Sequence, residues 1–532
     1  MSPRLQGLTP EVIETLKHSS HASDRRDAAQ AVRLVRKAAE VAPDHPEVLR
    51  RLALALVAQG PSEEALTAIG RAVAQRPDDG VLANAQAIVL QRNGQPDAAI
   101  AALGRAHALQ PESVDIAYHY GRALTLRGDG EHAVSALERV IELAPTHRDG
   151  RATLALALGQ LGRSADAIAQ YRVLLEQKAD DIRVWSALAA LKSARFDEDD
   201  LAQLERIAKR PDLDSESNVR MAFTLAKACD DNARYAEAFG EYRRGNALMR
   251  ERIPWDARQH SEEVGSILRA FASEPTATDP RRGDGVVFIV SLPRSGSTLT
   301  EQILASHAQV SAGDERTDLL EVIAAEGRRR GMHLAAWAPQ ADAEDWARLG
   351  ENYLARIAPL RGEARVFTDK LPGNWLWLGA AFAMLPGARA VECRRDPVET
   401  AWSCFRQAFG GGGTQDFSYD MNSIAAFMHD FELAMRHWRA LYPRRIHTQV
   451  YEALQTDMEM QTRELLAFCD LDFDPACLRF HENRRHVRTM SAAQVREPLR
   501  RDTAQAARYG ELLDPLRAAL VRARGSAAAI DD

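Results

Sequence analysis

Cysteine is scarce: the chain has five (Cys229, Cys393, Cys404, Cys469 and Cys477) in 532 residues. An odd set without a CxxC pair excludes a disulfide scaffold and a zinc knuckle, and leaves reduced, buried thiols. No stretch of eighteen or more apolar residues occurs, so no membrane-spanning helix is expected. An excess of either charge is also missing. With 68 basic and 75 acidic residues the formal net charge is −7, which argues against indiscriminate nucleic-acid binding and requires any anion site to be local. The opening MSPRLQGLTPEVIETL contains neither an apolar core nor a cleavage site, so nothing directs export and a cytoplasmic location is expected. What is present is an ordinary globular composition, 45% hydrophobic and 27% charged, long enough for several domains of about 150 residues each.

The first half is periodic. Pro43, Pro77, Pro111 and Pro145 recur every thirty-four residues, as do Gly60, Gly94, Gly128 and Gly162, and Ala31, Ala65, Ala99, Ala133 and Ala167. Between these markers the apolar spacing is helical: Ala65, Leu66, Ile69, Ala72 and Val73 recur at i, i+3, i+4. Each unit therefore reads as a helical hairpin, with glycine at the turn, alanine where the helices approach, and proline after the second helix. The array resembles tetratricopeptide repeats over residues 25–195, and a degenerate unit follows around Ala233 to Phe239. Such stacks leave a concave face, and the resemblance implies that a peptide or partner protein binds there.

The pattern breaks at SEPTATDPRRGDG, rich in proline, threonine, aspartate and glycine, which reads as a linker. Three segments follow from this: a helical repeat domain over 1–272, a linker over 273–284 and a further domain over 285–525. In the last, apolar runs at Gly285 to Ser291, Val366 and Phe367, Ala388 to Cys393, and Ile446 to Val450 alternate with amphipathic helices. That alternation predicts an α/β domain with a parallel sheet covered on both faces.

After the first run comes Pro293-Arg294-Ser295-Gly296-Ser297-Thr298, at a strand-to-helix junction. Backbone N–H groups and a helix N-terminus meet there and attract anions. Gly296 permits close approach, Ser295, Ser297 and Thr298 offer hydroxyls, and Arg294 supplies a permanently charged fork. Without GxxxxGK[ST], the motif is no nucleoside triphosphate loop, which disfavours an ATPase or small-molecule kinase. Ser295, Ser297 and Thr298 are also ordinary capping residues.

Together, PRSGST, GDERTDLLEVI (313–323) and DKLPGNW (369–375) resemble a sulfotransferase of the protein-tyrosine type, a likeness that covers roughly residues 284–510. The resemblance implies the donor 3′-phosphoadenosine 5′-phosphosulfate, a hydroxyl acceptor, and no metal. It assigns Arg294 to Thr298 to the 5′-phosphosulfate. Arg395, at a strand end, and Ser403, eight residues later on the next helix, resemble the 3′-phosphate site. The competing assignment for Arg395 is an ion pair with Asp396 or Glu399. Tyr451 and the segment Ser491 to Arg496, with Gln494, Val495 and Arg496, resemble later nucleotide contacts.

Sulfuryl transfer needs the acceptor proton removed and the charge on the leaving oxygen neutralised. By resemblance Glu315, twenty-one residues after Arg294, is the general base, with Asp314 as the shifted-register alternative, and Lys370 with Arg294 neutralises the leaving charge. His307 and His447 read as structural. Gly410 to Gly413 reads as a loop at the acceptor entrance or a plain connector. One stretch departs from the resemblance: where a basic residue followed by tryptophan is expected near the end, the chain reads Thr503 to Tyr509, with Gln505 in between. Arg500, Arg501 and Arg508 are candidate replacements for the missing charge. The principal alternative is a non-catalytic repeat scaffold whose second domain binds the nucleotide without transferring sulfate. The acceptor itself, whether tyrosine, sugar or small phenol, is open at this level, and so is the oligomeric state.

Overall fold

The computed structural model describes residues 3–25, 27–409, 413, 415–483, 485, 494–499 and 504–525. The chain divides into two compact units, Met1–Leu174 and Leu175–Asp532.

The first unit is a run of helical hairpins, among them Pro46–Val57 with Glu63–Gln75, Gly80–Arg92 with Pro96–Leu109, and Val114–Arg127 with Gly130–Leu143. The periodic markers take the places their chemistry suggests. Gly60, Gly94, Gly128 and Gly162 all have positive φ at the turns. Ala31, Ala65, Ala99, Ala133 and Ala167 are buried between helices, and Pro77 and Pro111 lie just past helix ends.

The second unit opens with five helices, from Ile182–Ala190 to Ala257–Ala270, before its sheet begins. The degenerate repeat is a hairpin of Ser215–Asp231 and Tyr235–Arg252, whose turn residue Ala233 has φ 57° where the regular units carry glycine. These helices precede the 273–284 segment, yet they are built into the sheet-bearing unit. Asn246 Nδ2 donates to the Phe405 carbonyl at 2.7 Å, and His260 Nδ1 lies 2.8 Å from Asp430 Oδ2. An apolar stripe on a helix states that something covers it, but not which neighbour does.

Five parallel strands form the sheet: β1 (Val286–Ser291), β2 (Val310–Ala312), β3 (Val366–Asp369), β4 (Arg389–Arg394) and β5 (Ile446–Val450). Their order is β2-β3-β1-β4-β5. β1 is buried along its whole length, as befits the central strand, and pairs with β3 through Phe288 and Asp369 and with β4 through Ser291 and Cys393. The strand missing from the sequence reading is β2, whose three residues are too few to show a period. All five cysteines are buried free thiols, and burial pushes Cys393, Cys404, Cys469 and Cys477 up to about 12.

Candidate active site

Each strand delivers one part of the site from its C-terminal end, where parallel sheets place ligands. Asp314 and Glu315 follow β2, Lys370 follows β3, Arg294 to Thr298 follow β1, Arg395 follows β4, and Tyr451 follows β5. Because β1 sits between β3 and β4, residues up to 157 positions apart in sequence leave the same sheet edge.

The turn after β1 has Arg294 at φ 70° and Gly296 at φ 94°, and Gly296 is the N-cap of the helix Ser297–Leu304. Gly296 is required twice over. Its φ is left-handed, and a Cβ there would stand 3.0 Å from Cδ2 of Tyr451. Lacking a side chain, Gly296 cannot cap the helix, so the first-turn N–H groups keep the polarity that suits an anion. Ser295, Ser297 and Thr298 are buried around this turn.

Arg294 and Arg395 come together here. Arg294 Nε donates to Ser403 Oγ at 3.2 Å, on the helix Pro397–Phe405. The Arg395 guanidinium lies 5.0 Å above the Tyr451 ring and 3.4 Å from Glu399. Both members of that ion pair are only 12% exposed, so it is an interior contact rather than a surface one. Burial above all, and then the charges of Arg395 and Arg406, pull the Arg294 pKa below the arginine range. Cations pressed together in a dry setting gain from a shared anion.

A second cluster gathers Lys370, Glu315 and Asp314. Lys370, fully buried, donates through Nζ to Glu315 Oε1 at 2.9 Å and has Asp314 Oδ1 at 3.8 Å. Its own N–H donates to the Asp314 carbonyl. Gly313 makes the approach possible: a Cβ there would meet the Thr368 carbonyl oxygen at 2.5 Å. The Glu315 side chain is 39% exposed, so of the two acids it is the one open to a substrate. Beneath this loop lies Glu301, fully buried, which accepts from the Asp314 N–H and Thr368 Oγ1, each at 3.1 Å, and from Arg485 Nη2 at 2.7 Å. Burial raises the Glu301 pKa, and Arg485 and Lys370 oppose it.

Next to Lys370, Asp369 faces the opposite way. Its carboxylate accepts from Tyr353 Oη at 2.7 Å and Asn374 Nδ2 at 3.2 Å, and burial pushes its pKa up to about 7. Unfolded, the group ionises near 4, so it favours the folded chain fully below that pH, and its contribution is lost as pH rises through about 7. Asp369→Asn should therefore flatten a fall in stability of at most about 4 kcal/mol between pH 4 and pH 7. Asn374 Oδ1 is buried without a partner among the described residues, so an amide flip lets it accept from the new side chain. Urea midpoints at pH 4.5 and 7.5 check this, and an unchanged pH slope in the variant would contradict it.

The other predicted residues make contacts of their own. Val495 is buried in the core beside Leu299 and Ile303, and Arg496 Nη2 donates to the Arg485 carbonyl at 3.1 Å. Gln494 Oε1 accepts from Lys192 Nζ at 2.6 Å. Ser491, Gly410 to Gly412, Arg500 and Arg501 lie outside the described residues. Arg508 is exposed and donates to Gln505 Oε1 at 3.3 Å, and the Gln505 and Ala506 N–H groups donate to the Glu399 carboxylate. His307 lies in the turn after the helix with Nε2 3.1 Å from the Asp472 carbonyl oxygen, and His447 packs on Phe468 within β5. Glu301, Arg485, Asp369, Arg406 and Lys192 escaped the sequence reading. Glu301, seven residues beyond Arg294 on the first helix, was the most accessible signal, since an acid on a buried face requires a partner.

With this geometry in hand, the model described as "Sulfotransferase family" matches residues 286–475. Those residues are a sulfotransferase-family domain. Tetratricopeptide-repeat models match residues 22–88, 84–148 and 124–191, so the sulfotransferase-family domain shares its chain with a repeat array. The chain is 30% identical over 325 residues to an "Uncharacterized protein" of Aquifex aeolicus (strain VF5). That match takes in 59% of this chain and spans 43% of the relative's length. Among solved structures, the crystal structure of MamA protein is 20% identical with a TM-score of 0.29, covering 32% of this chain and 94% of that one. YrrB, described as a TPR protein with an unusual peptide-binding site, is 19% identical with a TM-score of 0.29, covering 33% of this chain and 91% of its own. A tetratricopeptide repeat protein from Parabacteroides merdae ATCC 43184 is 14% identical with a TM-score of 0.33, covering 45% of this chain and 94% of that one. No described helix is long and apolar enough to cross a membrane.

Proposed function

We propose that the protein transfers a sulfuryl group from 3′-phosphoadenosine 5′-phosphosulfate to a hydroxyl acceptor, with the tyrosine of a peptide as the acceptor class. The repeats then recruit the acceptor or a partner, in the cytoplasm. One observation carries this reading: the loops after β1 and β4 join through the Arg294–Ser403 bond beside Arg395, next to a strand end that holds Glu315 against Lys370.

The residues suit the donor's chemistry. Arg294, Ser403, Arg395 and the uncapped helix start offer fixed positive charge and N–H donors to phosphate and sulfate. When bound, the donor supplies an activated sulfuryl group. Glu315 takes the acceptor's hydroxyl proton as the new S–O bond forms. Lys370 sits where its ammonium orients that carboxylate and opposes negative charge, without the freedom to turn toward water. Arg294 adds its charge at the leaving phosphate, whose bond to the sulfuryl group breaks.

Calorimetry with adenosine 3′,5′-bisphosphate, the desulfated product, tests the donor. It is expected to bind at least about tenfold more tightly than adenosine diphosphate, because a phosphate lost from a charged site costs about 1.5–3 kcal/mol. Equal binding of the two would overturn the reading. Binding of the bisphosphate without any labelled-sulfate transfer to peptides, glycans or phenols would make the domain a nucleotide-binding scaffold instead.

A further inference from the structure

Lys192 lies between the helices Ile182–Ala190 and Glu198–Ala208, far in sequence from every motif of the site. Bonds within the unit nonetheless bind its surroundings to the anion-binding loops. The loop after Lys192 is held by Lys227 Nζ donating to the Ala194 carbonyl at 2.9 Å and by the Phe196 N–H donating to Asp231 Oδ2 at 3.1 Å. The adjacent Asp230 accepts from Arg406 Nη2 at 2.8 Å, and Arg406 ends the helix that carries Ser403. Ser403 in turn meets Arg294. On its other side Lys192 Nζ donates to Gln494 Oε1 at 2.6 Å, and the neighbouring Val495 packs on the helix that starts at the anion-binding turn.

Carboxylates account for two of the cations gathered here: Glu399 pairs with Arg395 and Asp230 with Arg406. Among the described residues Lys192 pairs with no carboxylate; its one hydrogen-bond partner is the neutral Gln494 amide. Burial first, and then Arg294, Arg395 and Arg406, hold its pKa well below the lysine range, as expected for an ammonium crowded by other cations. With its one hydrogen bond to a neutral amide, and its surroundings tied on one side to Arg406 and on the other to the helix after the Arg294 turn, Lys192 is a cation without an acid that gains from a shared anion.

We propose that Lys192 is a further donor-binding residue, an ammonium brought from the helical segment to the 3′-phosphate that Arg395 and Ser403 hold. This rests on the nucleotide reading of the site and adds to it a contact from outside the sulfotransferase-family residues 286–475. In its role Gln494 is a positioning residue, keeping the flexible four-carbon stem aimed at the arginines.

Calorimetry on the full chain with adenosine 3′,5′-bisphosphate and with 5′-adenosine monophosphate separates the possibilities. Lys192→Met is expected to weaken the bisphosphate about tenfold to a hundredfold and the monophosphate less than about threefold, while Lys192→Arg retains most of the preference. An unchanged preference in Lys192→Met overturns the inference, and so does an equal loss for both nucleotides, which would place Lys192 at the shared end or in the fold alone. Wild-type protein with no preference for the bisphosphate overturns the donor reading itself, and the inference with it. If Lys192→Met does not fold, Lys192→Gln with the same two ligands gives the same comparison.

Discussion

Lys370→Met and Glu315→Gln are each expected to lower single-turnover sulfuryl transfer by about 10²- to 10³-fold while changing the affinity for adenosine 3′,5′-bisphosphate less than about threefold. The split follows from where the two residues stand. They leave β2 and β3, whereas the residues proposed to hold the donor's phosphates leave β1 and β4. Glu315→Gln keeps the shape of the side chain and removes its capacity to take a proton. Lys370→Met keeps the length and removes the charge from a side chain with no exposed surface. Quench-flow rates with labelled donor, beside calorimetry on the same preparations, check both. Robust transfer by Glu315→Gln would remove the base assignment and turn attention to Asp314, 3.8 Å from the same ammonium.

Glu301→Ala is expected to cost about 3–5 kcal/mol of stability, the largest effect anticipated for a residue without a direct part in the chemistry. Three donors converge on this fully buried carboxylate: the Asp314 N–H, the Thr368 hydroxyl and the Arg485 guanidinium. Removing it takes from the Arg485 guanidinium, 16% exposed, its close carboxylate, leaving the Gln302 amide oxygen at 2.8 Å and Asp314 at 3.8 Å, and frees the loop that presents Glu315. Glu301→Gln still accepts hydrogen bonds and should lose about half as much. Chemical denaturation of the three proteins decides the matter. A Glu301→Ala variant within about 1 kcal/mol of wild type would mean that Arg485 finds another partner or water, and that Glu301 is no keystone of the loop.

The repeats were the easiest part to read, because a thirty-four-residue period appears in proline, glycine and alanine for three separate mechanical reasons. Four of the five strands were legible as apolar runs, and β5 matches its expected limits, Ile446–Val450. β2 was not, since three half-buried residues carry no period. Arg294, Gly296, Glu315, Lys370, Arg395 and Ser403, singled out from local motifs, come together at the ends of the strands. Long-range pairings were not legible in this way: Arg485 lies 184 residues from Glu301, and Lys192 lies 302 residues from Gln494. Local spacing has no access to such pairs. Val495, singled out by motif, is buried in the core.

The residue order alone determined the hairpins, the parallel-sheet class and the charge and hydroxyl groups each loop carries, because periodicity, turn propensity and side-chain charge are properties of short segments. Only tertiary structure decided which loops meet. Strand order places β1 between β3 and β4, so that Arg294 reaches Ser403 while Glu315 reaches Lys370. It also decided that the helices from Ile182 to Ala270 pack with the sheet rather than apart from it. The reason is common to both. Burial is non-directional, so an apolar face or a buried charge demands a partner without naming one, and the choice falls to whichever packing satisfies all such demands together.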